Sequence, residues 1–300
     1  MNNIEIRAGD ALELLRAVES ESADVIIADP PYNLGKDYGN NHDIRGFDEY
    51  LHFSEAWLKE SHRVLASHGT LYVFMGFRFI SYLYDILDQK LGMFFNSWIT
   101  WHYTQGMGRT KGFSPRHEDV LMFTKTKNFR FILDDVRVPQ KYYRQRNNMT
   151  GANPGDVWTF SHVHYSNPER EDHPTQKPEA LIARMVLASS NEGDLVLDPF
   201  CGSGTTPRVC QVLNRRCLGI ELNPEFVDRA QQRLEKPFEG FDSTDPRMDR
   251  IPRDLPTYLP VEAAQKQALL LEEQAEYESP TNVPVVRPHH GRHRKAASAS

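Results

Sequence analysis

The sequence predicts an α/β protein built on a mostly parallel sheet with helices on both faces. Two observations carry that expectation. Asp24-Val25-Ile26-Ile27-Ala28 and Leu195-Val196-Leu197 are short apolar runs of the kind that form buried strands, and each stops at a carboxylate and a tight turn. The first turn is Asp29-Pro30-Pro31-Tyr32 and the second Asp198-Pro199-Phe200-Cys201-Gly202-Ser203-Gly204. Strand and helix patterns also alternate along the chain, which requires crossovers that cover both faces of a sheet. Open α/β sheets hold their ligands beyond the carboxyl ends of the strands. The two turns, about 170 residues apart, are therefore expected to meet at one sheet edge.

The elements follow in order. Ile4 to Arg7 is a predicted strand, Ala11 to Leu15 a helix, and Asp24 to Ala28 the strand that feeds the first turn. Phe47 to Leu65 has helical apolar spacing through Tyr50, Leu51, Phe53, Trp57, Leu58 and Val64. Gly69 to Phe74 is a strand, Phe77 to Leu91 a helix, and Phe94 to Trp101 and Asp119 to Phe123 are extended. Glu179 to Ser189 is helical, with Pro178 at its start. Leu195 to Leu197 and Cys217 to Ile220 are strands flanking a helix from Thr205 to Leu213. Pro224 to Leu234 is a helix opened by Asn223 as N-cap with proline at the first helical position. The arrangement expected is a Rossmann-like sheet. A catalytic domain is expected over residues 1–236. Beyond it, five prolines from Pro237 to Pro260 break regular structure, Val261 to Glu278 can form one helix, and the basic tail around Arg287 to Lys295 is a solvated extension.

Composition narrows the function classes. Hydrophobic residues make up 39% of 300, enough for a substantial core, and no apolar run approaches the roughly 20 residues of a membrane span. The start, Met1-Asn2-Asn3-Ile4-Glu5, lacks a secretory pattern, so a soluble, cytoplasmic protein with no membrane partner is expected. Cys201, Cys210 and Cys217 have neither disulfide-framework nor zinc-site spacing, and no metal is expected. The net charge of −6 is strongly segregated: residues 1–60 carry 5 basic and 13 acidic side chains, whereas residues 109–146 carry 10 basic and 4 acidic. Neutralising nucleic-acid phosphates needs a local positive surface, which makes the second stretch the candidate DNA face.

The first turn suits a nucleobase amine. Such an amine is a poor nucleophile because its lone pair is delocalised into the ring. The Asp29 carboxylate can accept one of its hydrogens and the Pro30 carbonyl, held by two rigid φ angles, the other. Tyr32 offers a ring face for an extruded base, a stack worth about 1–3 kcal/mol. Taken alone the tetrapeptide is also an ordinary strand-terminating turn. The second turn brings Gly202 and Gly204 to a helix start, without the G-x-G-x-x-G or G-K-[ST] patterns of phosphate loops. Glu221, about twenty residues on, occupies the place where an acidic residue commonly takes ribose hydroxyls. An adenosyl cofactor fits that set.

At these residues the chain resembles the S-adenosylmethionine-dependent amino-methyltransferases of DNA. Asp29-Pro30-Pro31-Tyr32 is similar to the family's catalytic motif and Asp198, Pro199, Phe200, Gly202, Ser203, Gly204 and Thr205 to its cofactor loop. His173-Pro174-Thr175-Gln176-Lys177-Pro178 resembles the segment beside the methionine end of the cofactor, and Gly9-Asp10-Ala11 the segment near its adenine. With the catalytic motif first, the order is that of the circularly permuted β class. Trp98 to Trp101, Gly106 to Gly108, Phe113, Arg116, Glu118 and Phe123 resemble the middle of adenine-specific, MboII-type members.

The resemblance implies methylation of the N6 amine of adenine in double-stranded DNA, with S-adenosylmethionine as cofactor, within a restriction-modification setting. Glu221 and Asn223 join the implied cofactor residues. An Asp at the first motif position favours adenine and Ser cytosine, so N4-cytosine methylation is the alternative. A cognate restriction endonuclease and a homodimer stay open. The stretch from Arg137 to Asp172 interleaves basic and aromatic residues, among them Lys141, Arg144, Arg146 and Trp158, and is the expected target-recognition core. Arg109, Lys111 and Arg116 are its nearby contributors. The loop from Asn33 to Arg45 is placed to cover a flipped base.

Overall fold

The computed structural model describes residues 3–35, 44–103, 108–138, 151–164, 167–171 and 173–241. Lys141, Arg144 and Arg146, most of the loop between Asn33 and Arg45, and the extension beyond residue 241 lie outside these described residues. All described residues fall in one compact unit of the chain, Met1–Pro139 with Gly151–Tyr258.

Its strands are β1 (Ile4–Ala8), β2 (Ala23–Ala28), β3 (Leu65–Met75), β4 (Phe94–His102), β5 (His117–Thr124), β6 (Val157–Thr159), β7 (Leu195–Asp198) and β8 (Arg216–Glu221). They form one sheet of eight strands in the order β1-β8-β7-β2-β3-β5-β4-β6. Among these strands only β5 runs against its neighbours, β3 and β4, and the other strand pairs are parallel. The helices are α1 (Ala11–Arg16), α2 (Phe47–Val64), α3 (Ile80–Asp85), α4 (Glu179–Ser189), α5 (Thr205–Val212) and α6 (Pro224–Glu235).

Both faces of the sheet are covered because the central strands are apolar at consecutive positions. In β2, Ile26 and Ala28 point into a core with Leu15 of α1, Trp57 and Leu58 of α2 and Leu83 of α3. Val25 and Ile27, one residue out of phase, point into the opposite core with Leu181, Met185 and Val186 of α4 and Val209 and Cys210 of α5. In α2, Tyr50, Trp57, Leu58 and Val64 are buried at helical spacing, with Asp48 and Glu49 in the first turn and His62 and Arg63 in the last, as the helix dipole favours.

Three elements differ from the sequence-based expectation. β3 begins at Leu65, directly after α2, because Leu65 already pairs with Ala23 ahead of a register shift. The expected helix from Phe77 to Leu91 is α3 followed by a π-turn, Ile86–Lys90. There the Leu91 amide bonds to the Ile86 carbonyl, and Gly92 at φ +64° ends the turn. Trp158, read as part of the target-recognition core, lies in β6 beside Trp101. Its ring is buried and its Nε1 donates to the Gly155 carbonyl at 2.8 Å. A three-residue strand at the sheet edge leaves no periodic trace in sequence, so only tertiary pairing reveals it.

The topology fixes the site. Val25 and Ile26 of β2 pair with Val196 and Leu197 of β7, so the chain leaves both strands side by side. From there β2 leads on to β3 on one side and β7 to β8 on the other, which makes their junction the switch point where such sheets bind ligands. Asp198 pairs with Gly219 in β8, and Ala8 of β1 with Glu221. Asp29, Asp198, Glu221 and Gly9-Asp10 thus stand along one carboxyl edge.

Candidate active site

A cavity of about 440 Å³ opens over that edge. Gly9, Asp10, Ala11, Asp29, Pro30, Pro31, Tyr32, His173, Thr175, Gln176, Lys177, Asp198, Pro199, Phe200, Gly202, Ser203, Thr205 and Glu221 all line it. Two predicted cofactor residues do not. Asn223 is buried as the N-cap of α6, its side chain accepting from the Glu225 amide. Gly204 begins α5 at φ +77° and faces α6, where an added Cβ would lie 2.7 Å from the Ala230 Cβ. Gly204→Ala is therefore expected to destabilise the protein by about 1–3 kcal/mol through strain and overpacking. A thermal melt equal to the parent's would overturn this account of the loop.

The Asp-Pro-Pro-Tyr turn is held by groups far away in sequence. The Tyr50 hydroxyl of α2 donates to the Pro31 carbonyl at 2.7 Å. Asn33, left-handed at φ +57° and buried, receives the Arg45 amide on Oδ1 at 2.6 Å and donates from Nδ2 to the Arg45 carbonyl at 3.0 Å. This side chain mimics a strand pairing and ties the exit of the turn to the entry of α2. Asp29 presents its two oxygens differently. Oδ2 accepts from Lys177 Nζ at 2.6 Å, whereas Oδ1 is buried and has no hydrogen-bond partner among the described residues. The Tyr32 hydroxyl donates to Glu118 Oε2 at 3.1 Å.

On the cofactor-loop side, Asp198 Oδ1 accepts the Phe200 amide at 3.0 Å. Glu221 accepts the Gly202 amide on Oε2 at 3.0 Å and the Asn223 amide on Oε1 at 2.8 Å. Asp10 caps α1, its Oδ1 accepting from Leu12 and Glu13. Gln176 ties down its own segment, donating to the Glu169 carbonyl and accepting the Glu171 amide. Arg233 of α6 lies beneath the loop. It is 2% exposed, donates to the Ser203 carbonyl at 3.1 Å and Thr205 Oγ1 at 3.0 Å, and pairs with Glu179 Oε1 at 2.6 Å.

Burial dominates the electrostatics. It raises the Asp29 carboxyl above its ordinary range against the opposing pull of Lys177, and raises Glu221 against its backbone N–H donors. Asp198 is pushed up to about 7, again by burial. Since the folded values exceed the unfolded ones, all three groups favour folding at acid pH and lose that contribution as pH rises; for Asp198 the loss runs from about 4 towards 7. Three carboxyls around one cavity, Asp198 buried and Asp29 and Glu221 half-buried, make a site that gains from a bound cation. A sulfonium carrying an α-ammonium meets that requirement.

Arg109 and Lys111 sit exposed on the segment between β4 and β5, with Phe113 98% exposed nearby, and Arg116 is half-buried at the entry to β5. None of the three basic residues lines the cavity. The sequence reading missed Glu118, Tyr50, Asn33 and Arg233 as supports of the site. Their partners lie between 12 and 86 residues away, and no local pattern marks them.

A family model described as DNA methylase matches residues 23–232. The chain belongs to that family. This methylase is 62% identical over 247 residues to the type II methyltransferase M.HpaI of Haemophilus parainfluenzae, covering 82% of this chain and 79% of the relative. It is 38% identical over 240 residues to the DNA adenine methyltransferase YhdJ of Escherichia coli, with 76% and 81% covered. The solved complex of M1.HpyAVI with SAM superposes with a TM-score of 0.57 at 27% identity, over 78% of the methylase and all of that chain. The methylase is of the restriction-modification type, and its methyl donor is S-adenosylmethionine.

Proposed function

We propose that this methylase acts on the N6 amine of an adenine flipped out of double-stranded DNA, within a restriction-modification system. The observation that carries the reading is the Asp29 carboxylate. Asp29 lines a cavity walled by Tyr32 and the cofactor loop; one of its oxygens is tied to Lys177, and the other is buried and has no hydrogen-bond partner among the described residues.

Bound S-adenosylmethionine supplies a methyl group activated by its sulfonium. The chain's residues do the rest. Glu221, Asp10 and the loop from Asp198 to Thr205 would hold the nucleoside end, and His173, Thr175 and Gln176 line the same cavity. Tyr32 gives the base a ring to stack on. Asp29 Oδ1 and the Pro30 carbonyl take the two amine hydrogens, which turns the nitrogen lone pair outward. Burial raises Asp29, so its carboxylate can accept the proton that the methylated amine sheds. Arg109, Lys111 and Arg116, with Lys141, Arg144 and Arg146 beyond the described residues, are the proposed contacts to DNA.

The family model spans N6 and N4 amine methylation, which keeps cytosine N4 as the second reading. Single-base sequencing of modified bases in DNA exposed to the purified protein and cofactor separates them. N6-methyladenine confined to one short motif is expected; N4-methylcytosine would correct the base, and unmodified DNA would reject the reading.

A further inference from the structure

The segment preceding α4 was expected to serve the methionine end of the cofactor, and within it Lys177 pairs with two carboxylates. Its ammonium is 2.6 Å from Asp29 Oδ2 and 3.5 Å from Glu118 Oε2, and its side chain is 7% exposed. It lies 5.3 Å from the Tyr32 ring centroid and 5.1 Å from that of Phe74. The backbone leaves it little freedom. The Lys177 carbonyl accepts from Thr205 Oγ1 at 3.2 Å, Gln176 is held on both sides, and Pro178 follows. Glu118 of β5 closes the cluster by accepting the Tyr32 hydroxyl at 3.1 Å.

We propose that Lys177 is a positioning residue for Asp29: its ammonium occupies Oδ2, so that Oδ1, which has no partner among the described residues, is left as the acceptor for the target amine, while Glu118 anchors both the ammonium and the Tyr32 hydroxyl. This rests on the amine-methylation reading given above. A lone carboxylate in a buried pocket protonates and rotates freely between equivalent oxygens. An ammonium on one of them keeps it ionised and fixes its plane. The groups facing Asp29 are Lys177 ahead of α4, Glu118 of β5, Tyr32 of its own turn and Asp198 at the end of β7. Of these only Lys177 is a cation. Lys177 works against the burial that raises Asp29, and Glu118 works with it.

The two neighbours therefore predict opposite effects. Lys177→Met keeps the length of the side chain and removes the charge. Single-turnover methyl transfer at saturating cofactor and DNA is expected to fall on the order of ten- to a hundredfold. The acid limb of its pH profile moves up by about 1 unit or more, because Asp29 then needs a higher pH to ionise. Cofactor affinity by calorimetry stays within about threefold, since the ammonium acts on Asp29. Lys177→Arg restores part of the rate. Glu118→Gln moves the acid limb the other way, to lower pH, and serves as the second variant if Lys177→Met does not fold. A weakened cofactor affinity with an unchanged saturated rate would assign Lys177 to the cofactor and overturn the proposal. So would a slower rate with an unmoved acid limb, or limbs that move in the same direction in both variants. If the parent protein transfers no methyl group to DNA, it is the amine-methylation reading that fails.

Discussion

Asp29→Asn is expected to lower methyl transfer by on the order of 10²- to 10³-fold, while S-adenosylmethionine binds within a few-fold of the parent affinity. Asn keeps the size of the side chain and one carbonyl oxygen, so the turn and its Tyr50 and Asn33 supports should survive. What it loses is charge. An amide offers the amine a weaker acceptor, can turn its NH₂ group to the cavity, and cannot take a proton. It also leaves Lys177, 7% exposed, without its closest counter-charge, and Glu118 at 3.5 Å remains as a partial substitute. Asp29→Ala goes further and abolishes transfer, at the risk of collapsing the pocket. Single-turnover rates for both variants, with cofactor affinity measured separately, decide the matter. An Asn variant within tenfold of the parent rate would remove Asp29 from the chemistry and leave it a structural partner of Lys177.

Much of this arrangement was legible in the chain, for a physical reason. Strands buried on both faces must be apolar at consecutive positions, so β2 and β7 announced themselves, and the polar turns that ended them marked the ligand edge. Asn223 as N-cap of α6 and the exact span of α4 followed from local rules of helix starts. Position in the motif did not reveal direction of the side chain. Lys177 sits in the predicted segment and lines the predicted cavity, yet its ammonium pairs with a carboxylate 148 residues away. Gly204 and Asn223 belong to the predicted loops but shape them from behind. A motif shows which residues travel together; whether each faces the ligand or the scaffold is decided by tertiary packing. Trp158 is the clearest case, since an aromatic among basic residues looks like a nucleic-acid contact until β6 pairs with β4 and buries it.

The scaffold behind the cofactor loop is expected to be the most sensitive structural point. Arg233→Met should destabilise the protein by about 3–5 kcal/mol, because it strands the Glu179 carboxylate in a buried site. That carboxylate lies 2.6 Å from Arg233 Nη2, with side-chain exposures of 2% for Arg233 and 8% for Glu179. The same guanidinium donates to the Ser203 carbonyl and Thr205 Oγ1, so its loss also frees the loop on which the cofactor rests. Two effects are then separable. Arg233→Met with Glu179→Gln removes the stranded charge and should recover a large part of the stability in urea unfolding, since a buried pair replaced as a unit is often near neutral. Cofactor affinity should stay weakened in the double variant, because no side chain has replaced the donors to Ser203 and Thr205. If Arg233→Met instead unfolds within about 1 kcal/mol of the parent, water must reach Glu179 in the variant, and the pair holds the loop without holding the fold.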